Sequence, residues 1–276
     1  MTEQPLRYLG FEVDLRERAS HSYFDEREPM MLSLDRHSRA PLLAAHVTDF
    51  RGVHSPVMWR HAARQQLTGL PGLVFAKAMP FIGSRSSDGF GAGVPAARCQ
   101  VLLTAWRTQP DFEAFLTHSI AERLAAQANS WWALFEVAST RGSHYGATPL
   151  SPTDAGSGAF AVLTLGRTRS RNLARFLREG TRLGAYIREA PGLITAYSAG
   201  VPLTGNCTVS IWESEEDMIR FAYRNTDGHG NTVRHDPPIL TEQLNARMRL
   251  RCLGGSWHPR TPHAARLSRL AATLNG

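Results

Sequence analysis

A chain of 276 residues, 42% of them apolar, is long enough to bury a substantial core as one large domain or two halves. It has no apolar run approaching the roughly eighteen residues of a membrane helix and no basic segment leading into an apolar core at its start, and its three scattered cysteines (Cys99, Cys207, Cys252) form no CxxC pair, so a cytoplasmic protein with reduced thiols is expected. The net charge of +7 does not point to nucleic acid: the basic residues are dispersed, no arginine stripe alternates with aromatics, and all but one of the 31 are arginine, a bias of composition that leaves Lys77 as the single lysine.

Residues 1–40 are polar and irregular and read as an extension. From Pro41 a pattern starts that occurs twice. Pro41–Phe50 reads as a strand, Ser55–Leu67 as a helix, Pro71–Ala76 as a second strand, and Gly83–Gly93 as a glycine- and serine-rich loop. Gln100–Trp106 is a third strand, Pro110–Ala128 a helix and Trp131–Ser139 a fourth strand. After a Pro/Gly/Ser/Thr-rich break the order recurs: strand Phe160–Leu165, helix Asn172–Arg188, strand Pro191–Ala196, strand Cys207–Trp212, a second helix capped by Ser214, and strand Arg247–Leu253.

The echo reaches individual residues. Pro71-Gly72-Leu73 and Ala76 match Pro191-Gly192-Leu193 and Ala196, while Trp106, Asp111, Phe112 and Phe115 match Trp212, Asp217, Met218 and Phe221. Each unit is therefore a βαββαβ of ferredoxin-like plan, an α+β fold with the helices on one sheet face. In the strand Cys207–Trp212, Cys207, Val209 and Ile211 are expected under the helices, with Thr208, Ser210 and Trp212 on the other face. A bare sheet face carrying large aromatics would be an exposed apolar patch, so the two units should pack sheet to sheet and close an α/β barrel within one chain. The expected organisation is an extension at 1–40, a first repeat at 41–146, a linker at 147–158, a second repeat at 159–257 and a tail at 258–276.

Trp212–Arg234 concentrates the chemical signals. Ser214 followed by Glu215, Glu216 and Asp217 suits a helix N-terminus, and Met218, Phe221 and Ala222 turn one stripe towards the sheet. Asp227-Gly228-His229-Gly230 then breaks the helix and presents an imidazole between two glycines, with no neighbouring Cβ to hinder a large flat ligand.

These residues resemble a known family. The W-x-S-x-x-D-M-x-x-F run in a doubled ferredoxin-like chain is similar to the dimeric α/β-barrel superfamily. More narrowly, Pro71–Gly91, Thr208–Ala222, Asp227–Arg234 and Leu244–Trp257 resemble the spheroidene monooxygenase family, over about Ala40 to Trp257. The resemblance implies a haem b enzyme that oxidises an apolar or aromatic small molecule with dioxygen or peroxide and an electron donor. It implies His229, five residues before Arg234, as the proximal iron ligand, with His235 as a rival. Neutral imidazole suits haem iron and leaves one side open. Lys77 matches the family's F-x-K pattern, and with Ser86 it is expected to meet the haem propionates or border the substrate channel. Trp212 is the candidate for lining the distal pocket. Glycine stands before His229 where the family has proline, and Pro237-Pro238 interrupts the helix that would follow.

Other chemistries find little support. There is no GxSxG, no Walker loop and no dinucleotide fingerprint, and His46, His118 and His144 show no metal spacing. Arg247, Arg249 and Arg251 read as solvated, as partners of Glu136 or other carboxylates, or as propionate-neutralising groups, in that order. The leading expectation is a haem-dependent monooxygenase. The alternatives are haem chemistry on a nitrogen-containing substrate, as in aldoxime dehydration, and a non-catalytic haem- or ligand-binding barrel. A small-molecule substrate is expected, without nucleic acid or a transmembrane segment; a homodimer is open, since a duplicated chain already closes its own barrel.

Overall fold

The computed structural model describes residues 6–8, 11–13, 31–33, 37–50, 63, 65–80, 99–127, 129–201, 205–224, 240–257 and 264–275. Three short strands, β1 (Leu6–Tyr8), β2 (Phe11–Val13) and β3 (Met31–Ser33), lie within the extension. The first repeat contributes β4 (Leu42–Asp49), β5 (Leu73–Pro80), β6 (Cys99–Trp106), α1 (Gln109–Leu116), α2 (Ser119–Ala125) and β7 (Asn129–Gly142). The second contributes β8 (Phe160–Thr168), α3 (Leu173–Arg188), β9 (Leu193–Val201), β10 (Gly205–Trp212), α4 (Glu215–Ile219) with a π-helical turn to Arg224, and β11 (Leu240–Ser256). A last helix, α5 (Ala264–Asn275), follows.

The main sheet has nine strands in the order β3-β5-β6-β4-β7-β11-β8-β10-β9. Leaving out β3, this is one ferredoxin-like order followed by its mirror, with the fourth strands of the two repeats, β7 and β11, joined in the middle by an antiparallel ladder. The outer strands β5 and β9 come back alongside each other, and no ladder joins them among the described residues. The sheet thus curls into a barrel inside one chain.

The barrel interior is a single apolar cluster drawn from both repeats, including Leu43, Ala45, Phe75, Leu103, Phe135, Leu163, Val209, Met248 and Leu250. Two further clusters lie between sheet and helices, one per repeat. The assignment of faces in β10 is therefore the reverse of the sequence expectation. Cys207, Val209 and Ile211 fill the barrel, and Trp212 lies under the helices with Met218. Alternation separates two faces, but both faces here are covered, and nothing in the pattern says which cover is which.

The duplication holds at atomic detail. Gly72 and Gly192 both take positive φ, +69° and +75°, and a Cβ on either would collide with the carboxylate of Asp111 or Asp217. Their carbonyls accept hydrogen bonds from Arg107 and Glu213 at 2.9 and 2.8 Å. Thr108 and Ser214 cap the next helices by accepting from the backbone N–H of Asp111 and Asp217. The indoles of Trp106 and Trp212 donate to Thr104 and Ser210, two residues back along each strand.

Elsewhere the elements depart from expectation. Pro110–Ala128 is two helices, because the Thr117 hydroxyl donates to the Ala114 carbonyl and the His118 ring starts a new helix by accepting from Ile120 N–H. Part of the extension, β3, pairs with β5 at Met31–Lys77. In the tail, Leu267, Leu270, Ala271 and Leu274 of α5 pack with Trp257 against the barrel cluster. Since α5 follows the C-terminal end of β11, which is antiparallel to β7, it closes the barrel end opposite the one where β7 finishes.

Candidate functional site

Two places in the fold carry groups that packing alone does not explain. The first is the layer between the sheet and the helices of the second repeat. In the first repeat this layer is filled. The cross-strand row Ala78, Leu102, His46 and Trp132 lies beneath Phe112 and Phe115, whose rings pack at 6.1 and 5.4 Å from that of His46, with Phe112 also 5.2 Å from Trp132. The row that corresponds to it in the second repeat is Ser198, Thr208, Thr164 and Asn245. Each of these is smaller or more polar than its counterpart, and all four are only half-buried. Thr164 donates to Asn245 at 2.9 Å, and Gln243 donates to the same oxygen at 2.8 Å.

The helix above repeats the contrast. Ala63 and Leu67 of the first repeat are 1% and 2% exposed. Their counterparts Leu183 and Ile187 are half-buried, and no described side chain of α3 is buried, although Leu173, Phe176, Leu183 and Ile187 form an apolar stripe. Leu177, Tyr186 and Tyr223 remain exposed at 47%, 37% and 44%. Among the described residues, this helix therefore stands on its sheet without burying its apolar stripe.

The second place is the barrel interior. Lys77 lies between Phe75 and Met79 on the inward side of β5 and is 0% exposed. Its Nζ is 2.9 Å from Nε2 of His144, itself 1% exposed, and lies 5.8 Å from the centre of the Tyr145 ring. The Arg167 guanidinium covers Tyr145 at 4.3 Å. His144-Tyr145-Gly146-Ala147 is a two-residue hairpin closed by bonds of 2.9 and 3.1 Å, with Tyr145 and Gly146 at φ +53° and +69°. Positive φ at both central positions makes it a type I′ turn, unusual for a tyrosine. Glu242 holds the turn by accepting from Gly146 N–H at 2.7 Å and pairs with Arg167 at 3.7 Å.

Burial, then the cations of Lys77 and Arg167, press the His144 pKa down to about 2. The ring is therefore neutral, and its Nδ1 is buried without a partner. Burial pushes the Cys207 thiol up to about 12, against Lys77 and a backbone bond from Ala199, so it is protonated at neutral pH.

Of the residues singled out in the sequence, His229, Arg234, His235 and Ser86 lie outside the described residues. Trp212 is 1% exposed and packs at 5.2 Å from Phe221, in the sheet–helix cluster of the second repeat. Lys77 is on the barrel side of its strand, away from the helix-facing layers. Arg247 and Arg249 pair with Glu215 at 3.5 and 2.9 Å and so tie α4 to β11, and Arg251 pairs with Glu136 at 3.4 Å. Among the described residues no group of three or more His, Cys, Asp or Glu could hold a metal, and no helix is long and apolar enough to cross a membrane. His144 was passed over in the sequence because its partner is 67 residues away and no spacing links them.

Fold and strand order make this a doubled ferredoxin-like chain closed as a dimeric α/β barrel. No family model matches it. The chain is similar to the spheroidene monooxygenase of Rhodobacter capsulatus, 26% identical over 214 residues that cover 74% of this chain and 87% of the relative. Similar solved structures include an anthrone oxidase-like protein (12% identity, 84% of this chain and 96% of that one, TM-score 0.31). A heme-degrading enzyme of Listeria monocytogenes (12%, 74% and 98%, TM-score 0.26) is also similar, as is a monooxygenase-like protein of Listeria innocua (11%, 75% and 94%, TM-score 0.26). By sequence the chain is monooxygenase-like.

Proposed function

We propose that the protein is a haem-dependent monooxygenase acting on an apolar or aromatic small molecule, with the porphyrin in the open sheet–helix layer of the second repeat. The observation that carries this reading is the contrast between the repeats: among the described residues, the row packed with aromatic rings in one is replaced by small polar, half-buried side chains in the other. A flat apolar ligand with a polar edge fits such a layer. The stripe Phe176, Leu183 and Ile187 would cover one porphyrin face, and Ser198, Thr208, Thr164 and Asn245 would lie on the sheet side as hydroxyl and amide donors. His229 is proposed as the iron ligand. It belongs to the segment joining the π-helical turn, which packs Phe221 and Ala222 into this layer, to the start of β11.

Bound haem would supply the iron that activates dioxygen or peroxide, with electrons from an external donor. The chain's own work is to exclude water and orient the substrate. The apolar stripe desolvates it, while the threonine hydroxyls offer hydrogen bonds without a charge that a hydrocarbon substrate would have to desolvate. Expression with haem supplementation tests the proposal. A Soret band that is lost or strongly shifted in His229→Ala, together with substrate-dependent dioxygen consumption in the presence of reductant, is the expected result. A protein that takes up no haem overturns it, and haem uptake without turnover leaves a carrier.

A further inference from the structure

The barrel interior holds a reactive group that this reading does not use. All 30 other basic residues among the 31 are arginine, so lysine is not a default cation here. The one position that carries it is 0% exposed, in an apolar barrel, against a neutral imidazole. Arginine would serve for a charge or a hydrogen bond. Only an amine can lose its proton and become a nucleophile.

We propose that Lys77 and His144 form a second site inside the barrel, where the Lys77 amine condenses with a short aldehyde or ketone that carries a second oxygen. The Lys77 nitrogen attacks the carbonyl carbon, its protons pass to the oxygen, water leaves and a C=N bond forms, with no electrons exchanged with any other reagent. His144 is the positioning residue. With Nε2 facing the amine and accepting from it, Nδ1 carries the ring proton, and this buried donor lacks an acceptor. A second oxygen on the ligand supplies one, and a buried N–H left unpaired is costly.

The turn that presents His144 is built for that placement. Tyr145 takes a left-handed conformation a non-glycine residue rarely adopts, and Glu242 holds the next residue. Lys77 sits on β5, which lies beside β9 with no ladder between them among the described residues and pairs at Lys77 with β3, three residues long.

The test is reductive trapping. Full-length protein is incubated with glycolaldehyde and sodium cyanoborohydride near neutral pH, and the adduct is mapped by peptide mass spectrometry. Lys77 and the N-terminus are the only amines in the chain, so each serves as reference for the other. The expected result is labelling of Lys77 at least tenfold faster in the folded protein than in urea, relative to the N-terminus. His144→Phe should cut that rate at least tenfold with an unchanged circular dichroism spectrum. Lys77 left unlabelled in the folded protein, or labelled no faster than in urea, overturns the proposal. The readout does not involve haem and stands or falls apart from the monooxygenase reading.

Discussion

At the scale of single residues, the fold depends on a few side chains whose chemistry is constrained from all sides. His46 is 3% exposed, neither ring nitrogen has a partner, and the groups facing it are Phe112, Phe115 and Trp132, none of them charged. Burial lowers its pKa from 6.5 to about 3. A group with a depressed folded pKa that is neutral when deprotonated favours folding fully above its unfolded pKa. The unfolded chain alone takes up the proton as pH falls below 6.5, so stability declines from there down to about 3. By pH 5 the loss from His46 is about 2 kcal/mol. Urea denaturation at pH 7.5 and pH 5 should show it, and His46→Leu should remove that part of the slope; an identical slope in the variant would count against the assignment. Gly192 is the second such position. Gly192→Ala forces a Cβ onto the Asp217 carboxylate at φ +75° and should cost about 1–3 kcal/mol in the same assay. The importance of Gly72 and Gly192 was legible in the sequence because the motif occurs twice. The Lys77–His144 contact was not, because it depends on how the barrel closes.

Among the elements, the two repeats share a plan and differ in what fills the layer beneath their helices. The order of strands and helices followed from periodicity and capping signals such as Ser214-x-x-Asp217, and the described elements come in that order, with the expected helix Ser55–Leu67 lying mostly outside the described residues. Which sheet face met the helices did not follow, because in β10 both the Cys207, Val209, Ile211 set and Trp212 are buried. The swap of His46, Leu102 and Trp132 for Thr164, Thr208 and Asn245 became visible only when the ladders aligned the repeats residue by residue. That swap can be reversed. Thr208→Leu with Asn245→Trp restores the packing of the first repeat in the second. It should lower hemin uptake, followed by Soret titration, at least tenfold without lowering the thermal midpoint, since apolar volume replaces an open layer. Full haem uptake in the double variant would place the cofactor elsewhere.

For the molecule as a whole, the question is whether two repeats behave as two domains. Chains of this length commonly unfold in steps, and the Pro/Gly/Ser/Thr-rich segment between the repeats looks like a linker. The barrel argues otherwise. Its apolar interior is one cluster supplied by both units, and the β7–β11 ladder runs from Leu244–Gly142 to Ser256–Ser130, so neither repeat keeps a closed core without the other. The chain should therefore unfold in one cooperative transition. Leu163→Ala, at a fully buried position of the second repeat, should cost roughly 2–5 kcal/mol and lower the single calorimetric midpoint by on the order of 5–15 °C. The decisive readout compares a tryptophan of the first repeat, Trp106, with one of the second, Trp212, each kept as the single tryptophan by replacing the other five of the six with Phe. If the two repeats share one core, both report the same shifted midpoint. If Leu163→Ala moves only the Trp212 signal, the repeats fold independently and the barrel is only an interface between domains.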